Sequence, residues 1–299
     1  MKFATLHVSG RLVPAIGTGD GRWLRLAPLL QLLGVEPAGH TLPAMLGDVH
    51  QHADRLRELA QGLLSVANPP LVQGAELAAP LAGLAKNVFC VGRNYFDHVA
   101  EGAKLRDERP AAPSHVVYFS KPPTTIIGPG ATIPSHVATT KALDYEAELA
   151  VVIGRRGTDI PKDKVGDYIF GYTIVNDVTG RELQLQHVQW FKGKGLDGSC
   201  PMGPWIADRE DIPDAGALGV RLTVNGELRQ NANTRDMIFD VATIVSDLSR
   251  GLTLEPGDVI ATGTPAGVGF AMDPKRLLAA GDVVEIEIDR IGTLRNTVG

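Results

Sequence analysis

Asp144-Tyr145-Glu146-Ala147-Glu148-Leu149-Ala150-Val151-Val152-Ile153-Gly154 sets two carboxylates two residues apart and then runs into an apolar segment closed by a glycine. A short run rich in Val and Ile and bounded by turn residues predicts a strand covered on both faces. Alternate side chains share a face of a strand, so Glu146 and Glu148 point the same way, with Asp144 in line. Two such carboxylates lie about 7 Å apart and repel by about 2 kcal/mol at an effective dielectric of about 20, before desolvation. Either a positive charge compensates them or one stays protonated. A hard divalent cation with oxygen ligands (Mg²⁺, Ca²⁺ or Mn²⁺) is the simplest compensation.

The chain carries its own control. Glu285, Glu287 and Asp289 repeat at the same spacing, but in a strictly alternating Val-Glu-Ile-Glu-Ile-Asp frame. That frame predicts a half-exposed strand with its charges in water. Spacing alone therefore does not mark a site; the apolar run that follows Glu148 does. Asp144, at a strand start, also suits an ordinary turn, and both readings stand.

Outward from this stretch, 299 residues suffice for one large domain or two unequal ones. A net charge of −5 argues against nucleic acid or an anionic membrane as partner. No apolar stretch approaches the roughly 20 residues that span a bilayer. The first residues lack a signal-peptide apolar region, and Cys90 and Cys200 have no metal spacing. A cytoplasmic location with two reduced, buried thiols is expected. With 34 glycines, 20 prolines and 5% aromatics, short strands and turns are favoured over a helical bundle.

Residues 1–30 read as short strands, and apolar residues from Leu42 to Leu63 recur at helical spacing, predicting one helix over 42–64. His50 and His52 on that helix face apart and read as solvent-face histidines. Asn68-Pro69-Pro70 to Pro80 reads as a linker, dividing a small α+β domain, 1–75, from a main domain, 80–299.

Within the main domain, Asn87–Gly92 predicts a strand. Asn94 and Asp97 look like a capping start for a helix over 95–101, which sets His98 and Glu101 at i, i+3. Residues 103–115 predict a mobile loop or lid. Residues 171–177 form an apolar strand ending on Asp177, residues 178–190 a helix with Arg181 and Gln184, and 191–204 a glycine-rich loop holding Lys194. Thr262–Gly269 has neither P-loop nor Rossmann spacing, but such a turn lets backbone approach a ligand.

Taken together and in order, Gly92-Arg93-Asn94-Tyr95 with Asp97-His98, Ser120-Lys121-Pro122, the acidic strand, Asn176-Asp177, Arg181-x-x-Gln184, Gly193-Lys194-Gly195 and Pro256-Gly257-Asp258 through Gly269 resemble the fumarylacetoacetate hydrolase family over about 86–298. The resemblance implies an α+β, β-rich fold: a mixed β-roll or sandwich catalytic domain behind a small α+β N-terminal domain, usually a homodimer. It implies Mg²⁺ or Mn²⁺, with Ca²⁺ in some members, on Glu146, Glu148 and Asp177. By the same carry-over His98 is the general base paired with Glu101. Arg181, Gln184 and Lys194 hold the substrate and its developing oxyanion, and Thr264 contacts the substrate carboxylate. Arg93, Tyr95 and Lys121 of the matched motifs are expected at the substrate.

The reaction so implied is hydrolysis of a C–C bond in a 2,4-dioxo acid such as an acylpyruvate, fumarylpyruvate or fumarylacetoacetate, as in aromatic catabolism. His98 activates water and the cation stabilises the enolate. Decarboxylation of oxaloacetate, isomerisation of unsaturated 2-oxo dioates, and hydration are alternatives on the same platform. A metal-stabilised binding protein without catalysis is the competing class.

Overall fold

The computed structural model describes residues 1–19, 21–64, 71–72, 75–105 and 107–299. The Asn68-Pro69-Pro70 part of the expected linker lies outside these residues, as do Asp20 and Arg106.

One large mixed sheet runs through the molecule. Its order is Trp23–Arg25, Arg11–Gly17, Lys2–Val8, Cys200–Asp208, Ile169–Asn176, Ala147–Ile153, Val259–Ala261, Val88–Gly92, Val117–Lys121. The predicted apolar strand occupies Ala147–Ile153 and all seven residues are buried. The reason lies in its two faces. Leu149, Val151 and Ile153 pack into one core, with Val220, Leu222, Ile286 and Leu294 of a second sheet and with Ile244 and Val245 of the helix Val241–Leu248. Ala150 and Val152 face a different core, built with Leu29, Leu30, Met45, Leu46 and Val49 of the N-terminal helices. The strand is thus the middle layer of helices, large sheet and small sheet, which makes it apolar on both sides.

The second sheet has the order Glu227–Asn233, Gly219–Val224, Val283–Ile288, Gly292–Val298, Thr132–Ile133. Val284, Ile286 and Ile288 are buried while Glu285 is half-buried and Glu287 and Asp289 are exposed. The alternating frame behaves as its pattern predicted.

Several expectations are corrected. The helix over 42–64 is two, Leu42–Gln51 and Ala53–Leu64, broken at His52, whose backbone leaves helical geometry (φ −115°, ψ 18°). The first buries Leu42, Met45, Leu46 and Val49, the second only Leu56 and Ala60, so the apolar stripe does not continue straight. His50 is not a solvent-face residue: Nε2 lies 3.0 Å from the Asp167 carbonyl, and the ring sits where a Cβ on Gly154 would fall. It docks the helix onto the end of the acidic strand.

The described part of the expected linker, 71–72 and 75–80, is zipped along the first strand. Glu76–Leu77 pairs with Lys2–Val8, and Thr5 Oγ1 donates to the Pro80 carbonyl at 2.7 Å. The helix expected over 178–190 spans only Arg181–Gln186. The expected loop 191–204 holds a short helix, Phe191–Lys194, and the beginning of the strand Cys200–Asp208. Pro201, Gly203 and Pro204 disguise that strand in the sequence. Among the described residues no helix is long and apolar enough to cross a membrane.

Candidate active site

Strand register assembles the acidic cluster. Ala147 pairs with Asn176, so Glu146 and Asp177 lie side by side just beyond the paired ends. The Asp177 amide donates to the Glu146 carbonyl at 2.9 Å, and the Glu146 amide donates to Asn176 Oδ1 at 3.0 Å. Glu146, Glu148 and Asp177 each offer an oxygen, all within 4.8 Å of one another.

Cations surround them. Lys194 Nζ lies 2.7 Å from both Glu146 Oε2 and Asp177 Oδ2, and Arg181 Nη1 is 2.7 Å from Glu146 Oε1. Lys121 Nζ is 2.8 Å from Asp177 Oδ1, yet that oxygen accepts no hydrogen bond, since the approach is off the hydrogen-bond direction. Burial works to raise the Glu146 carboxyl's pKa, but Lys194 and Arg181 outweigh it and hold it down at about 2. Glu148 has no such partner: burial first, then Asp177 and Glu146, push it well above the carboxylate range. Burial disfavours charge on Lys194 and Arg181 as well, but their carboxylate partners prevail and both stay cationic.

The donor set fits a divalent cation. Asp144, Glu146, Glu148 and Asp177 are buried against Lys121, Arg181 and Lys194, four acids to three bases. A divalent ion would turn that excess of one negative charge into one positive, suited to an anionic ligand. It would also coordinate the Asp177 oxygen that accepts no hydrogen bond and allow Glu148 to ionise.

Asp144 is not one of the three. Arg181 Nε donates to its Oδ2 at 2.9 Å, and the amides of Gly269 and Phe270 donate to the two oxygens at 2.9 and 3.0 Å. It lies on a separate short strand, Leu143–Asp144, paired with Thr179–Gly180, and faces the glycine-rich turn, where it orients Arg181.

His98 stands on the helix Phe96–Leu105, its Nδ1 3.4 Å from Glu101 Oε2. Glu101 Oε1 accepts the Gly267 amide at 2.8 Å. Asn94 does not cap this helix. Its side chain is buried, donating to the carbonyls of Phe239 and Thr262 at 3.0 and 2.8 Å and accepting the Phe239 amide at 2.8 Å. The turn before the helix is tight: Arg93 has φ +59°, and a Cβ on Gly92 would fall 2.3 Å from the Trp190 ring.

The turn Thr262–Gly269 approaches the carboxylates themselves. Gly263, at φ +99°, donates its amide to Glu148 Oε2 at 2.9 Å, and Gly267 and Gly269 serve Glu101 and Asp144. This turn therefore ties the base pair and the acidic cluster into one frame.

One cavity of about 550 Å³ is lined by His98 and Glu101 and by Glu146, Glu148, Arg181 and Lys194. Arg93, Gln184 and Thr264 also line it. Asp177 lies behind this lining, completely buried. Among the described residues Arg181 Nη2 has no hydrogen-bond partner, which leaves a buried donor for a ligand. Phe119 and Trp190, edge to face with centroids 5.5 Å apart, form an apolar wall. Leu105 and Glu108, from the segment expected to be a lid, also reach the cavity.

Two expected substrate residues are not brought to it. Lys121 is fully buried behind Asp177, held by the Val178 carbonyl and Ser199 Oγ at 3.1 Å and by the Lys194 carbonyl. Tyr95 is buried beside Met237 in a bridge between their backbones. Sequence reading also missed the work of Asn94, Asn176 and Gln230, all buried. Asn94 and Asn176 bond backbone groups, and Gln230 bonds backbone groups and the Thr264 hydroxyl; Asn94 carried a signal but was read as a cap.

Comparisons with known proteins agree on the family. The model of the fumarylacetoacetate (FAA) hydrolase C-terminal region matches residues 87–299. Oxaloacetate tautomerase YisK of Bacillus subtilis (strain 168) is 41% identical over the whole of both chains. A fumarylacetoacetate hydrolase from psychrophilic Exiguobacterium antarcticum is 38% identical with a TM-score of 0.80, covering 100% of this chain and 99% of that one. Maleylpyruvate hydrolase from Sphingobium sp. SYK-6, solved with manganese(II) and pyruvate, is 27% identical with a TM-score of 0.75, covering 100% and 98%.

Proposed function

The chain belongs to the fumarylacetoacetate hydrolase family, and from that premise we propose a metal-dependent enzyme that makes or protonates the enolate of a small 2-oxo acid. The observation that carries this reading is the single cavity shared by the His98–Glu101 pair, the acidic cluster and the unpartnered Arg181 donor. Keto–enol interconversion of a 2-oxo dicarboxylate of the oxaloacetate type is the first reaction to test, given the full-length likeness to a tautomerase.

Glu146, Glu148 and Asp177 would hold the divalent ion, Mg²⁺ or Mn²⁺, which when bound supplies Lewis-acid polarisation of the substrate's oxygens. Arg181 and Lys194 favour negative charge at this end of the cavity. Arg181 Nη2 and the Thr264 hydroxyl donate to the substrate's carboxylate and oxyanion, and Gln184, bonded to Arg181 Nη1 at 3.1 Å, fixes the guanidinium. As an acceptor, Glu101 places the ring proton of His98 on Nδ1 and leaves the Nε2 lone pair for the substrate. Toward the enol, His98 takes the proton from C3 and the resulting oxyanion takes a proton from solvent. Toward the keto form the enol O–H proton leaves to solvent and protonated His98 delivers its proton to C3, a transfer worth about 10²–10⁴-fold in rate.

Hydrolytic C–C cleavage of a 2,4-dioxo acid is the second reading. The cavity and its Phe119–Trp190 wall offer more room than a four-carbon diacid needs, and a likeness to maleylpyruvate hydrolase points the same way. There His98 would take its proton from water instead. The division into residues 1–75 and 80–299 and the homodimer belong to this same proposal; solution mass tests the latter. The deciding experiment follows decay of enol-oxaloacetate and cleavage of fumarylpyruvate and maleylpyruvate, with Mn²⁺ and with chelator. Metal-dependent acceleration of one supports the reading; no acceleration of any substrate sinks it.

A further inference from the structure

We infer that Gln230 is a positioning residue that fixes the polarity of the Thr264 hydroxyl and makes it a hydrogen-bond donor toward the substrate. The inference rests on the reading above, in which Thr264 contacts a substrate carboxylate.

Gln230 belongs to the second sheet, on the strand Glu227–Asn233, and is fully buried. The pairing of that strand shifts register here: Leu222 pairs with Gln230 but Thr223 with Leu228, leaving Arg229 as the extra residue. Such a bulge bends the strand and re-aims its side chains. The glycine-rich turn is fitted to it, since a Cβ on Gly267 would fall 2.1 Å from the Arg229 carbonyl oxygen.

The amide of Gln230 is oriented by groups whose polarity is fixed. Oε1 accepts the Ala147 amide at 2.9 Å, and a backbone N–H can only donate. Nε2 donates to the Pro265 carbonyl at 2.8 Å, and a carbonyl can only accept. The remaining Nε2 hydrogen goes to Thr264 Oγ1 at 2.8 Å. The Thr264 oxygen is therefore an acceptor on its protein side, and among the described residues nothing accepts its own proton. Thr264 is buried to 3% exposure and lines the cavity, so that proton is available to a ligand oxygen. A carboxylate, which only accepts, matches this hydroxyl. Gln230 also joins Ala147, between the two glutamates, to the turn that carries Thr264. One side chain thus relates the acidic cluster to the carboxylate contact.

The test is a double-mutant cycle on the Mn²⁺-loaded full chain, with pyruvate as probe and calorimetric Kd as readout alongside KM and kcat. In Gln230→Glu the donor is replaced by an acceptor of the same shape, which draws the Thr264 proton away from the ligand. Gln230→Glu and Thr264→Val are each expected to weaken pyruvate by about tenfold or more, the usual scale of a charge-assisted hydrogen bond. The double variant should be no weaker than the weaker single. KM should rise more than kcat falls, and Thr264→Ser should retain binding. Unchanged binding in Gln230→Glu, or additive losses in the double variant, would overturn the role given to Gln230 while leaving the active-site reading intact. Unchanged binding in Thr264→Val overturns the carboxylate contact and this inference with it; no pyruvate binding by the unsubstituted protein counts against the functional reading itself. If Gln230→Glu does not fold, judged by thermal midpoint, Gln230→Met takes its place in the cycle with the same non-additivity expected.

Discussion

Two acidic runs of this chain share a spacing and almost nothing else. Glu285 and Glu287 lie on a strand whose other face packs into a core, with Asp289 just beyond its end. Their charges meet water, the exposed Arg295, 3.3 Å from Glu285, or, at Asp289, the Gly219 amide at 2.7 Å. Glu146 and Glu148 adjoin a strand buried on both faces, where water is replaced by Lys194, Arg181 and the amide of Gly263. The same residue type is a solubilising charge in one place and, in our reading, a metal ligand in the other. Environment, not spacing, makes the difference, because the cost of an unpaired carboxylate rises steeply as solvent is removed.

The largest effect expected from this contrast concerns chemistry. His98→Ala should lower kcat by about 10²–10⁴ while Mn²⁺ binding stays intact, because the buried run has a proton carrier facing it. Arg295→Ala, which removes the partner of the exposed run, should leave the rate within about twofold, surface changes of this kind being nearly neutral. Equal losses in both would break the comparison.

Next comes stability. Leu149→Ala opens a cavity in the fully buried strand and should cost about 2–5 kcal/mol in urea unfolding, whereas Glu287→Gln should stay within about 0.5 kcal/mol. A small effect at Leu149 would mean that the strand can collapse around the gap.

The smallest effect is a pH dependence at the end of the buried run, where His50 packs against Gly154. Burial, aided by Arg209 and Arg155, holds its imidazole below the ordinary value despite the bond to the Asp167 carbonyl. The unfolded chain takes up this proton near 6.5, whereas the folded chain resists it. Its contribution is therefore lost as pH falls from that value through the lowered folded one. His50→Asn should shrink the drop in urea midpoint between about pH 7 and about pH 5.5. An unchanged drop would assign it to other groups.

Much of this was legible in the sequence, for identifiable reasons. The run after Glu148 carries burial in its composition, so local pattern suffices there; Asp177 at a strand end also suits a turn, and its place beside the glutamates came from the resemblance. The ordered motifs place the fold within its family, which the comparisons bear out. What escaped depends on distant partners. Asp144 has the same local context as Glu146, and only the amides of Gly269 and Phe270, more than 120 residues on, show that it orients Arg181 instead. Lys121 reads as a cavity lysine until Val178, Lys194 and Ser199 are seen to wrap its ammonium. The turn Thr262–Gly269 showed its glycines but not their targets, because Gly263 and Gly267 serve carboxylates 115 and 166 residues away. The strand Cys200–Asp208 was hidden by its own prolines.

Titration of Mn²⁺ into the metal-free full chain, followed by calorimetry, bears most directly on the contrast between the two runs. The unsubstituted protein and Glu287→Ala should bind alike, and Glu148→Ala should lose tight binding. Undiminished binding in Glu148→Ala, or no binding by the unsubstituted protein, would contradict the assignment of the buried run as a metal site.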